Sequence, residues 1–111
     1  MYAVTYRFLL KNSDAETHAE FIEVWRALTD VFAKRRGALG SRLHKVDETT
    51  YMAYAQWPSQ SAYEADAQSG GPEEPLASLR KRWALVCNPA EVMLAGDVVA
   101  DLLRPVSFPH L

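Results

Sequence analysis

Three tryptophans (Trp25, Trp57, Trp83), three histidines (His18, His44, His110) and one cysteine (Cys87) carry most of the chemical reach of this 111-residue chain. Their spacing excludes several uses. The histidines show no metal-ligand spacing, so neither a zinc nor an iron site is expected. Cys87 has no second cysteine to bridge and no CxxC partner, and reads as a small buried hydrophobe. Neither a glycine-rich phosphate loop nor a nucleophile elbow occurs. His44 is the histidine best suited to acid–base work, because an unperturbed imidazole titrates at ~6.5, near neutrality. It shares a strand face with Arg42, where an ordinary solvated histidine would also sit.

Charge narrows the partners. The formal net charge is −2, and the only dense basic clusters are Lys34-Arg35-Arg36 and Arg80-Lys81-Arg82. Both read as helix faces or ends rather than a basic stripe, so no nucleic acid is expected as a partner. No stretch approaches the ~20 apolar residues of a membrane span. The amino terminus lacks the apolar core and cleavage site of a signal peptide, and a lone cysteine fits a reducing compartment. A cytoplasmic protein is expected. With 49% hydrophobic and 23% charged residues the composition is globular, and the length suits one domain, expected over residues 1-104 with a tail at 105-111.

The elements that must position these residues follow from periodicity. Tyr2 to Leu10 is rich in β-branched and aromatic types and reads as a strand, with Tyr2, Val4, Tyr6 and Phe8 on one face. Ser13 and Glu16 form a capping box. Phe21, Val24, Trp25, Leu28, Val31 and Phe32 then give one apolar helical stripe that stops at Gly37. Ala38 to Val46 and Thr50 to Trp57 are two strands joined at hairpin length. Pro58-Ser59 opens a short helix, Gln60 to Gln68, and Ser69-Gly70-Gly71-Pro72 is a turn. Glu73 to about Val86 is helical through Leu76, Leu79 and Trp83. Ala90 to Leu103 is the last strand, with a bulge or bend expected at Gly96. This order predicts an α+β, ferredoxin-like β-α-β-β-α-β domain with a four-stranded antiparallel sheet, the last helical region broken in two.

Helices in such a fold cover only one sheet face. A lone copy should then alternate apolar and polar residues, and these strands do not. Met52 and Tyr54 back Tyr51, Ala53 and Ala55, while Met93, Ala95 and Val99 back Val92, Leu94 and Val98. Burying a modest ~500 Å² of the bare face would contribute about 12 kcal/mol before association costs. A homodimer is therefore the expected assembly, with a tail folded over the sheet as the alternative.

Phe21-Ile22-Glu23-Val24-Trp25, the segment Gly37-Ala38-Leu39-Gly40-Ser41-Arg42-Leu43-His44, and Tyr54-Ala55-Gln56-Trp57-Pro58-Ser59 give the chain a resemblance to the antibiotic biosynthesis monooxygenase family of dimeric α+β barrels. The element order extends the resemblance over about Tyr2 to Leu103. It implies a pocket between helices and sheet that holds a small flat aromatic molecule. The family's better-studied members oxygenate an anthrone or quinol with molecular oxygen and no cofactor: no flavin, metal or haem. A deprotonated substrate can itself give an electron to oxygen, so the protein needs to bind the ring, favour its anion and exclude water.

The resemblance also nominates residues. Trp57 matches the tryptophan that the family's oxygenases place on the pocket wall, and with His44 it forms the expected catalytic pair. Tyr6, Arg82 and Trp83 are the expected substrate-binding residues. Tyr6 stands where haem-degrading relatives carry an asparagine, which argues against haem. Arg80 and Arg82 point in different directions on one helix, so at most one faces inward. Two other functions fit the same scaffold: a non-catalytic ligand-binding or stress-response module, and an isomerase or cyclase.

Overall fold

The computed structural model describes residues 1–68 and 73–104; the expected turn at 69–72 and the tail at 105–111 lie outside the described residues. Strand β1, Tyr2–Leu9, occupies the middle of a four-stranded antiparallel sheet. It pairs on one side with β3, Thr50–Trp57, and on the other with β4, Glu91–Asp97. Strand β2, Gly40–Lys45, completes the order β2-β3-β1-β4. Helix α1, Ala15–Arg35, follows β1, while α2, Gln60–Gln68, and α3, Leu76–Val86, lie between β3 and β4. This is the expected ferredoxin-like α+β order with its last helical region divided. Among the described residues, no helix is long and apolar enough to cross a membrane.

Alternation along β1 decides which face is covered. Tyr2, Val4 and Phe8 are buried, as are Tyr51, Ala53 and Trp57 on β3. Phe21 from α1 packs on Phe8, Tyr51 and Ala53, and Cys87 closes this cluster beside Leu10. Val24 and Leu28 from the same helix stripe meet Leu76 and Leu79, which docks α3 on α1. The helix stripe read from spacing is thus the seam joining sheet, α1 and α3.

Several boundaries differ from expectation. The cap of α1 is Asp14 rather than Ser13. The Asp14 carboxylate accepts from Thr17 N–H at 2.7 Å, while Asn12 Oδ1 accepts from Asp14 N–H and holds the approach turn. At the other end Arg36 and Ala38 N–H groups both donate to the Phe32 carbonyl. Gly37 supplies the positive φ of 79° that this wrap requires, and Gly40 (116°) bends the chain into β2. Helix α3 starts at Leu76, just past Pro75, rather than at Glu73. Strand β4 ends at Asp97, not Leu103, because its partner β1 begins at Tyr2 and the ladder runs out after Val98 N–H donates to Met1 O. Gly96 pairs regularly with Ala3. The bulge lies further along, where the register shifts between Thr5 and Tyr6 and leaves Met93 unpaired.

The second sheet face is open. Every residue of β4 is exposed, with Leu94 at 76%. Beyond it Val99 and Leu102 are each 94% exposed. Residues 98 and 100–103 flank a broad depression on this face together with Leu39, Arg42, His44, Met52 and Tyr54.

Candidate functional site

Between the helices and the covered sheet face lies a cavity of about 360 Å³, within the range of small-molecule sites. Strand β1 contributes Tyr6 and Phe8, β3 contributes Ala53, Ala55 and Trp57, and β2 contributes Gly40 and Ser41. Helix α1 supplies Trp25, Leu28, Thr29 and Phe32, α2 supplies Tyr63, Asp66 and Ala67, and α3 supplies Arg80 and Trp83. The space exists because β3 narrows to alanines at Ala53 and Ala55, where larger side chains would fill the gap beneath α1.

The walls are aromatic. Trp83 meets Phe8 edge-on at 5.2 Å, Tyr6 stacks beside Phe8 at 6.0 Å, and Tyr63 lies across Trp57 at 5.8 Å. Such rings offer flat, polarisable surfaces to another flat ring. The Trp83 indole N–H is already engaged, donating to Asn88 O at 3.2 Å. That of Trp57 is not: the residue is 3% exposed and its Nε1 is buried with no hydrogen-bond partner among the described residues. A buried donor left in this state costs about 1–3 kcal/mol, which an acceptor on a ligand would recover.

Polar groups gather along one part of the lining. The Tyr6 hydroxyl is held protonated well above the ordinary phenol range, first by burial and then by the charge and hydrogen bond of the Tyr63 side chain, with Asp66 adding to the effect. Asp66 follows Tyr63 by three residues and so shares its helix face. Burial pushes its carboxyl upward, while the guanidinium groups of Arg36 and Arg80 pull it back in part. Arg36 Nη1 stands 3.9 Å from Asp66 Oδ1 and also pairs with Glu73. Exposed Ala67, Arg80 and Ala90 mark the rim.

Trp57, Tyr6 and Trp83 all line this cavity. His44 does not. It pairs with Met52 on the open face of the sheet, is exposed, and is separated from Trp57 by the sheet itself. Leu43 turns inward beside Ala53 and sends both neighbours outward. Arg82 is likewise elsewhere. Its guanidinium donates twice to the Glu20 carboxylate, at 3.0 and 2.6 Å, and ties α3 to α1. Of the two arginines weighed on α3, Arg80 is the one at the cavity. Tyr63, Asp66 and Arg36 were not anticipated, although the half-buried positions Ala62, Tyr63 and Asp66 form an inward helix face visible in the spacing.

Two other groups belong to different surroundings. His18 Nδ1 lies 2.7 Å from the Tyr51 hydroxyl near the start of α1, and its Nε2 is buried without a partner among the described residues. Burial raises the Cys87 thiol to about 11, the behaviour of an inert core cysteine. Among the described residues, no group of three or more His, Cys, Asp or Glu side chains could hold a metal ion.

No family model matches the sequence, and no curated protein matches it either. Solved structures do. The cofactor-independent oxygenase SnoaB from Streptomyces nogalater is similar with a TM-score of 0.65 and 14% identity, covering 90% of this chain and 97% of that one. An antibiotic biosynthesis monooxygenase is similar at 0.63 and 16% identity, covering 90% of this chain and 100% of that one. HapK from Hahella chejuensis is similar at 0.67 and 16% identity, covering 95% and 99%. Across most of its length, therefore, the chain has the α+β fold of antibiotic biosynthesis monooxygenase structures.

Proposed function

We propose that this protein is a cofactor-independent oxygenase that acts on a small polycyclic or quinol-type aromatic, and that it works as a homodimer. The observation that carries the reading is the aromatic cavity that Trp57 lines, with the indole N–H of that residue buried and without a partner among the described residues. A flat substrate would lie against the tryptophan and phenylalanine rings, with its oxygen accepting from Trp57. Loss of a proton leaves an electron-rich anion able to reduce oxygen directly. For an anthrone the balance is one methylene and one O2 giving one carbonyl and one water, so a single oxygen atom enters the product. The protein's share is to orient the ring, stabilise the anion and exclude water from it.

The dimer reading rests on the open sheet face. Leu94 and Leu102 leave large apolar side chains exposed on that face, the kind of surface that marks an interaction site, and a second copy related by a two-fold axis is the simplest cover. Sedimentation equilibrium at micromolar concentration should give twice the chain mass.

The activity is tested by supplying anthrones and hydroquinones under labelled O2. Oxygen uptake with one labelled atom in the product is the expected result. Turnover that persists without oxygen would identify an isomerase or cyclase instead, and tight binding without any turnover would identify a ligand-binding module.

A further inference from the structure

We infer that Asp66 is the group that takes the proton from the bound aromatic, with Tyr6 and Tyr63 orienting the substrate oxygen and Arg80 favouring the anion that remains. The inference rests on the cavity being the reaction site proposed above, and it deepens that reading by naming the base.

The cavity's own inventory carries the argument. Among the described residues lining it, the titratable side chains are Tyr6, Tyr63, Asp66 and Arg80. An arginine guanidinium does not lose its proton in a protein, and a phenol is protonated at neutral pH, Tyr6 the more so for its burial. His44 is across the sheet, and His18 lies against Tyr51, outside the lining. Asp66 is left as the acceptor.

Its surroundings suit that role. The side chain is only 16% exposed, so the carboxylate is partly desolvated and more basic than one in water. It faces Arg36 from the end of α1 and Arg80 from α3, with Tyr6 on β1 and Tyr63 on its own helix. Glu73 is one step removed, on Arg36. The two guanidinium groups offset part of the rise that burial causes and so favour the ionised form, the one that accepts a proton. In the step itself the substrate's acidic C–H or O–H bond breaks, its electron pair stays on the substrate as an enolate or phenolate, and the proton moves to an Asp66 carboxyl oxygen. Charge passes from Asp66 to the substrate. The remaining exposure of the side chain lets the proton leave to solvent before the next turnover.

The test uses anthrone and the full chain, reading two processes separately. Under argon in D2O, NMR follows exchange of the anthrone methylene hydrogens, which reports deprotonation without oxygen. In air, oxygen uptake reports the complete reaction. Asp66→Asn is expected to slow both about 10²- to 10⁴-fold, the usual loss for a general base. Anthrone affinity by calorimetry should change less than about threefold, since the inference assigns Asp66 to proton removal and not to binding. Asp66→Glu should retain intermediate rates. The wild-type exchange rate should rise with pH through a value above the ordinary carboxylate range, because only ionised Asp66 accepts a proton, and Asp66→Asn should lack that limb. Exchange undiminished in Asp66→Asn overturns the assignment, as does a loss confined to affinity. Wild-type exchange without oxygen uptake would sink the oxygenase reading and leave Asp66 standing. Oxygenation undiminished in Asp66→Asn would do the reverse, and a wild type that does neither ends both.

Discussion

Trp57→Phe keeps an aromatic wall in the cavity and removes an N–H that has no partner among the described residues. Loss of ring volume and relief of an unsatisfied donor oppose one another, so stability should move by less than about 1 kcal/mol. Oxygenation should fall roughly 10- to 100-fold, because a hydrogen bond to a developing oxyanion is worth about 1.5–3 kcal/mol. Thermal melts beside oxygen-electrode rates check the pair, and a variant as active as wild type would remove Trp57 from the chemistry. Arg82→Met gives the opposite pattern: a lower Tm from the lost Glu20 contact, with unchanged turnover. Tyr6, Trp57 and Trp83 line the cavity because each shares its strand face or helix stripe with core residues such as Phe8, Tyr51 and Leu79. His44 and Arg82 were misread because placing a polar side chain requires knowing which sheet face the helices cover and where a partner such as Glu20 lies. Asp66 was missed for a related reason: a carboxylate on a short helix reads as solvated until the neighbouring guanidinium groups are seen in space.

Helices and strands were legible in type throughout, and in their ends at β3 and α2. The hairpin strand β3 and helix α2 match their expected spans, bounded by Pro58-Ser59. The Asp47 side chain closes the β2–β3 turn by accepting from Thr49 and Thr50 N–H. Ends moved for two reasons: local capping chose Asp14 over Ser13 and started α3 at Leu76, while at β4 a partner distant in sequence sets the end, because the strand stops where β1 gives out. The start of α1 offers a sharp test. The Thr17 backbone N–H, donated to Asp14, holds that carboxyl below the usual range, so the contact stabilises the fold above an unfolded pKa near 3.8 and is lost as pH falls through the depressed folded value. At pH 7 Asp14→Ala should lower Tm by a few degrees while Ser13→Ala leaves it nearly unchanged. The Asp14→Ala deficit should shrink as the pH is taken below 3.8. Equal effects from both substitutions would restore Ser13 as the cap.

Association belongs to the molecule as a whole. Leu94 faces away from the helices beside Thr5 on β1, so a charge there meets only water in a single copy. In the proposed dimer the same charge would be buried without a partner, at a cost of several kcal/mol. Leu94→Glu should therefore weaken self-association at least about a hundredfold, and it should make Tm less dependent on protein concentration, since a dimer's apparent stability follows mass action. Wild-type and variant chains that sediment alike would refute the interface. The fold was legible at this scale from the element order. The cavity's volume was not, because it depends on how far the alanines of β3 let the helices stand off. One consequence of that cavity concerns light. All three tryptophans of the chain stand in its lining, so the protein's entire indole emission originates at the site itself. A quinone entering the cavity should quench that glow in proportion to occupancy, with no label and no reaction needed, and a dark-adapted titration would count filled sites directly.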